Sequence, residues 1–188
     1  MKRDIAMKDY SKVKFSEEAL SRRDYMESNE NEFFRIAKKI NERFAFIPLL
    51  FGSIALKMQV EDEVHTGDID IAIPHLYSPD RAALNYDLIT MMEDLGYELV
   101  DYWEGEFHDV KNNIMVHIVG DNGFMEYAGI DVTECPIIQT DGVIYKRFTL
   151  EQLIKSYTES AKEREDEGED NYHKVKLEIA QKAIERNK

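Results

Sequence analysis

The residues best suited to chemistry are two aspartates, Asp68 and Asp70, in the segment Asp68–Pro74 (DIDIAIP). Acidic and apolar residues alternate here, which is the period of a half-buried strand. On such a strand both carboxylates point to one face, and two residues span about 6–7 Å. Two carboxylates at that separation can share a divalent cation or hold two, as in phosphoryl and nucleotidyl transfer. Their oxygen atoms favour Mg²⁺. The alternative is a pair of solvated charges, although aspartate is disfavoured in strands.

A glycine–serine pair, Gly52 and Ser53, precedes the aspartates. It follows an apolar segment, Ala45–Phe51 (AFIPLLF), that predicts a short strand. Gly52 permits a tight turn and a close approach of the backbone to a ligand. Ser53 falls where a helix would begin, and the N–H groups of a helix N-terminus favour phosphate. Such pairs also occur in ordinary turns, so the prediction of a nucleotide-binding site depends on the combination with the aspartates.

Apolar periodicity predicts the elements that must position these residues. Helices are predicted at Glu30–Phe44, Ile54–Val60, from Ser78 to Gly96, from the Thr149/Gln152 capping box onward, and beyond the acidic segment Glu163–Asp170. Strands are predicted at Ala45–Phe51, Asp68–Pro74, Tyr97–Val110 and Ile114–Val119, with a hairpin in Ile137–Phe148 that turns at Thr140-Asp141-Gly142. The fold class is therefore α/β (α+β). We divide the chain into a charged N-terminal arm (1–27), a mixed core (28–148) and a C-terminal helical hairpin (149–188).

In this order of elements the sequence resembles the DNA polymerase β-like nucleotidyltransferase superfamily. Among its members the sequence is most similar to the small enzymes that modify aminoglycosides or lincosamides. The resemblance covers about residues 44–119 and continues weakly into the helical C-terminal part. It implies a mixed sheet flanked by helices, with Gly52 and Ser53 contacting a nucleoside triphosphate and Asp68 and Asp70 binding Mg²⁺. The implied reaction transfers a nucleoside monophosphate to a hydroxyl group of a small acceptor, which could be antibiotic-like.

The sequence departs from this family at the third carboxylate, which the family places on a later strand. On the predicted strand Ile114–Val119, Met115 takes that position, and alternation puts Met115 and His117 on the face away from the core. Methionine neither coordinates Mg²⁺ usefully nor acts as a base.

Three alternatives follow from Met115. A neighbouring acid could replace the third carboxylate: a two-residue turn at Asn112-Asn113 would bring Glu106 and His108 to the site face, whereas a three-residue turn would bring Asp109. His117 or His108 could serve as the base, with the metal held by the two aspartates alone. Alternatively, the protein is catalytically degenerate and binds a nucleotide or a partner.

Composition limits the remaining classes of function. The 188 residues include 24 basic and 38 acidic side chains, for a net charge of −14, which argues against nucleic acid or an anionic membrane as a partner. The sequence has no apolar run of about 20 residues, and its beginning lacks a signal-peptide pattern. A single cysteine, Cys135, excludes an internal disulfide. These features predict a cytoplasmic protein and leave the oligomeric state open. An acidic interaction domain without a nucleotide role is a further alternative.

Overall fold

The computed structural model describes residues 24–74, 82–167 and 172–186, and these residues form six α-helices and seven strands. The helices are α1 (Asp24–Phe44), α2 (Gly52–Lys57), α3 (Ala82–Asp94), α4 (Phe124–Ala128), α5 (Leu150–Glu167) and α6 (Tyr172–Arg186). The strands are β1 (Leu49–Phe51), β2 (Asp68–Ile73), β3 (Glu98–Asp101), β4 (Glu106–Asp109), β5 (Ile114–Gly120), β6 (Ile137–Thr140) and β7 (Val143–Arg147). The predicted arm at 1–27 and the predicted helix start at Ser78 lie outside the described residues, except for the first residues of α1.

The seven strands form one mixed sheet in the order β3-β4-β5-β2-β1-β7-β6. β2 is parallel to β5, and β1 is parallel to β7, whereas the other neighbouring pairs are antiparallel. This topology confirms the predicted α/β (α+β) class. It also places β2, which carries both aspartates, at the centre of the sheet between β1 and β5.

One face of the sheet packs into the main hydrophobic core. From β2 it presents Ile69, Ile71 and Ile73, each at most 1% exposed. Helix α1 packs across β7 and β2 on an apolar stripe in which Phe33, Ile36, Ala37 and Ile40 are fully buried and Phe44 is partly buried. Because side chains alternate along a strand, burial of the isoleucines leaves the acidic side chains of β2 on the opposite face.

The C-terminal helices α5 and α6 form the predicted hairpin and contact each other extensively. The capping box at the start of α5 is present: the Thr149 N–H donates to Gln152 Oε1 (2.9 Å), and the Gln152 N–H donates to Thr149 Oγ1 (3.3 Å). Both helices also contact α2, the short helix that begins at Gly52. The hairpin therefore lies beside the turn that follows β1.

Two strand predictions are wrong in extent. The segment Tyr97–Val110 forms two strands, β3 and β4, because the Asp101 carboxylate accepts hydrogen bonds from the backbone N–H groups of Trp103 and Glu104 and so stabilises a turn. The strand predicted at Ala45–Phe51 is limited to its last three residues. No helix among the described residues is long and apolar enough to cross a bilayer.

Candidate functional site

The parallel register of β2 and β5 brings the candidate ligands together. Asp68 pairs with Met115, and Asp70 pairs with His117, so all four side chains share one face of the sheet. The His117 Nδ1 atom lies 3.5 Å from Asp68 Oδ2 and 3.7 Å from Asp70 Oδ1. Asp68, Asp70 and His117 each offer a ligand atom, and these atoms all lie within 4.8 Å of one another. The predicted placement of Met115 and His117 on the site face is confirmed.

The charges at this site are close together and partly buried. The negative charge of Asp70, together with burial, raises the pKa of Asp68 to about 6. The adjacent Asp70 carboxylate and the charge of Asp68 outweigh the effect of burial on His117 and raise its pKa to about 9. Two carboxylates that repel each other in this way attract a cation, and the His117 imidazolium lies within 3.7 Å of both.

The backbone at Gly52 lies against the carboxylate of Asp70. The register of β1 and β2 pairs Phe51 with Asp70, and Gly52 follows with φ +68, a conformation that glycine adopts readily. A Cβ atom added at Gly52 would collide with the carboxylate of Asp70. The absence of a side chain at position 52 therefore provides the space in which this carboxylate sits, and the turn after β1 is in contact with the acidic pair.

Ser53, the second residue of α2, is 1% exposed, and its hydroxyl has no hydrogen-bond partner among the described residues. An unsatisfied buried hydroxyl costs about 1–3 kcal/mol, so such a group usually has water or a ligand as its partner.

The antiparallel register of β4 and β5 decides which neighbouring acid faces the site. Glu106 pairs with His117, and His108 pairs with Met115, so both lie on the site face. The loop contains four residues, an even number, and therefore gives the same faces as the predicted two-residue turn.

The structure does not bring Asp109 to the site. This residue pairs with Ile114 on the core face of the sheet. Its carboxylate accepts hydrogen bonds from the backbone N–H groups of Lys111 (3.0 Å) and Asn112 (3.1 Å), and from Asn112 Nδ2 (2.6 Å). Asp109 thus stabilises the turn between β4 and β5, and of the two candidate acids only Glu106 lies on the face that carries Asp68 and Asp70.

Helix α6 adds a cation that the sequence analysis missed. Burial lowers the pKa of Lys176, while the negative charges of Asp68 and Asp70 act in the opposite direction. The Lys176 ammonium lies 4.9 Å from the centre of the Tyr172 ring, and the Arg164 guanidinium lies 4.5 Å from it. Helical periodicity could have placed Tyr172 and Lys176 on one face of α6, but only the tertiary fold shows that this face is directed towards the aspartates.

The hairpin also brings a buried hydroxyl to the acidic pair. Tyr157 on α5 is 3% exposed, and its hydroxyl has no hydrogen-bond partner among the described residues. Burial raises the pKa of Tyr157, and the charges of Asp70 and Asp68 raise it further. The site is thus bounded by the sheet on one side and by α5 and α6 on the other.

No protein-family model matches the sequence. A protein of Bacillus subtilis (strain 168), the uncharacterized protein YnaI, is 31% identical over 130 residues, which cover 69% of this chain and 80% of that protein. The chain belongs to the YnaI family. Because YnaI is itself uncharacterized, this membership assigns no activity to the chain.

Proposed function

We propose that this protein transfers a nucleoside monophosphate from a nucleoside triphosphate to a hydroxyl group of a small acceptor, with Mg²⁺ held by Asp68 and Asp70. The observation that carries the proposal is the contact between the Asp70 carboxylate and the backbone of Gly52. This contact joins the Gly-Ser turn and the Asp-x-Asp strand in one site, as the resemblance to nucleotidyltransferases implies. The cytoplasm, where nucleoside triphosphates are abundant, stays the predicted location.

The donor set fits a divalent cation, because two mutually repelling carboxylates share one partly buried site. A bound Mg²⁺ supplies neutralisation of the phosphate charge and a lower pKa for the attacking hydroxyl. Asp68 and Asp70 would hold the cation from the central strand, which fixes their spacing. The N–H groups at Gly52 and Ser53 would orient the triphosphate.

Glu106 is our candidate for the group that accepts the proton of the acceptor hydroxyl. It faces the site directly beside His117, and its side chain is only partly buried, so a small acceptor could reach it. His117 is the less suitable base, because its Nδ1 atom lies within 3.7 Å of both carboxylates, where it can itself hold the cation.

Lys176 supports the same proposal from the opposite side of the site. A phosphate group bound between a cation at Asp68/Asp70 and the Lys176 ammonium would be neutralised from both sides. We expect Lys176→Met to raise the KM for the nucleoside triphosphate about 10–100-fold, the range for losing a charge-assisted hydrogen bond. Steady-state kinetics with varied nucleotide measures this.

The matched control for this change is Lys182→Met, since Lys182 is exposed on the same helix and its nearest acid, Glu178, is 3.9 Å away. We expect the control to leave the KM unchanged. Equal KM values for the two variants would remove Lys176 from the nucleotide site.

The transferase proposal itself is tested with nucleoside triphosphates labelled at the α-phosphate, Mg²⁺, and a panel of aminoglycosides and lincosamides. We expect label on at least one acceptor, release of pyrophosphate, and loss of both in Asp68→Asn. The proposal fails if no acceptor is labelled and Asp68→Asn leaves nucleotide binding unchanged.

A second candidate function is supported by one observation: Met115, rather than a third carboxylate, lies beside Asp68. Under this alternative the chain is a degenerate nucleotidyltransferase fold that binds a nucleotide or a partner without turnover. Calorimetry with the Mg²⁺ complex of ATP, run beside the labelling assay, separates the two functions, because only the second predicts binding without transfer.

A further inference from the structure

The third donor at the acidic site is a nitrogen atom. The Asp68 and Asp70 carboxylates and the His117 imidazole lie close together on one face of the sheet. Met115, which pairs with Asp68, lies on the same face. Mg²⁺ takes oxygen ligands almost exclusively, whereas imidazole is a good ligand for first-row transition metals. The donor atoms therefore differ from those of an all-carboxylate magnesium site.

The two distances between His117 and the aspartates are close to those between ligands of one ion, and the ligand atoms of all three side chains lie within 4.8 Å of one another. Two ligand atoms that each lie about 2.1 Å from a metal ion are about 3.0–3.5 Å apart in octahedral or tetrahedral geometry. The His117 Nδ1 atom is 3.5 Å from Asp68 Oδ2 and 3.7 Å from Asp70 Oδ1, so shifts of a few tenths of an ångström are sufficient.

Two independent features indicate that this cluster is built to hold a ligand. The Asp70 carboxylate is seated in the space left by the missing side chain of Gly52, which restricts its position. The Tyr157 hydroxyl is buried without a hydrogen-bond partner among the described residues, and the charges of Asp70 and Asp68 raise its pKa. A buried hydroxyl of this kind usually has water or a ligand as its partner.

We propose that Asp68, Asp70 and His117 form a two-carboxylate, one-imidazole site that binds a first-row transition-metal ion, with Mn²⁺ as its octahedral representative, more tightly than Mg²⁺. The inference rests on the proposed function only in placing the metal at these residues, and it concerns which metal the site selects. The remaining positions around the ion are open to water or to substrate oxygen atoms.

The test measures metal binding directly. Tag-free full chain is freed of metal with EDTA, the EDTA is removed, and Mn²⁺ is titrated while the electron paramagnetic resonance signal of free Mn²⁺ is recorded. Mg²⁺ is then added as a competitor. We expect the Kd for Mn²⁺ to be at least about 10-fold lower than that for Mg²⁺, because the nitrogen donor contributes to the binding of only one of them.

The decisive variant is His117→Asp, which supplies a carboxylate in place of the imidazole. We expect it to reduce the preference for Mn²⁺ over Mg²⁺ by about 10-fold or more. If it does not fold, His117→Gln is used instead and should weaken Mn²⁺ about 10-fold while leaving Mg²⁺ within about twofold. His65→Asn, in an exposed part of the chain, is the matched control and should change neither affinity.

Equal affinities for Mn²⁺ and Mg²⁺, or a preference that does not change when His117 is replaced, would overturn this inference and leave the transferase proposal standing. Failure of both ions to bind would overturn it as well. The transferase proposal is decided separately, by transfer of label to an acceptor.

Discussion

Asp70→Asn is expected to reduce the proposed nucleotidyl transfer at least about 10³-fold, which corresponds to about 4 kcal/mol of transition-state stabilisation. The amide has nearly the shape of the carboxylate but lacks the charge that attracts the metal ion. Asp70 also contacts Gly52 and lies beside His117, so replacing Asp70 changes the surroundings of both residues. Transfer of α-phosphate label at saturating nucleotide and Mg²⁺ measures the change.

The same substitution should leave the fold intact. Replacing Asp70 removes the main cause of the raised pKa of Asp68 and so relieves a repulsion, but it also removes the hydrogen bond and charge that raise the pKa of His117. Because these two changes oppose each other, we expect a melting temperature close to that of the unmodified chain. Asp87→Asn, at an exposed position of α3, is the control and should retain full activity. Full activity in Asp70→Asn would contradict the proposed role of the acidic pair.

Gly52→Ala is expected to disable the site and destabilise the fold together. The backbone at this position has φ +68, which costs a residue with a Cβ atom about 1–2 kcal/mol. The new methyl group would also collide with the Asp70 carboxylate, which must then move away from Asp68 and His117. We expect a loss of about 2–4 kcal/mol in the free energy of unfolding, measured by denaturant titration, and a loss of metal binding.

Gly142→Ala separates the cost of the backbone conformation from the cost of the collision with Asp70. Gly142 has φ +78, but a Cβ atom there meets nothing within 4 Å, so this control carries the backbone cost without the collision. The difference between the two variants isolates the contact with Asp70. A double-mutant cycle with Asp70→Ala should recover part of the loss. Equal destabilisation in both glycine variants, with metal binding retained, would show that the contact has no energetic importance.

The features that could be predicted from the sequence are those set by local interactions. The apolar stripe of α1 and the alternation in Asp68–Pro74 follow from the geometry of helix and strand, and both are confirmed. The turn at Asp141-Gly142 has both residues at positive φ, and the capping box of Thr149 and Gln152 forms both of its hydrogen bonds. In each of these features the residues that interact lie within a few positions of one another in the sequence.

The features that could not be predicted depend on contacts between distant segments. Alternation placed His117 on the correct face, but its position beside Asp70 depends on the register of two parallel strands that are not adjacent in the chain. The same limit applies to Lys176, which lies within electrostatic range of the aspartates only because α5 and α6 pack against α2. The turn that divides β3 from β4 depends on hydrogen bonds to the side chain of Asp101. The pattern of residues in Tyr97–Val110 predicted a continuous strand and gave no indication of this turn.

Because Gly52 and Asp70 are in contact, substitutions at these two positions are not independent of each other. Any residue with a side chain at position 52 excludes a carboxylate at position 70 in the conformation found here. In the YnaI family we therefore expect glycine at position 52 wherever position 70 is acidic. A relative with alanine or a larger residue at position 52 would lack the space for a carboxylate placed as in this chain.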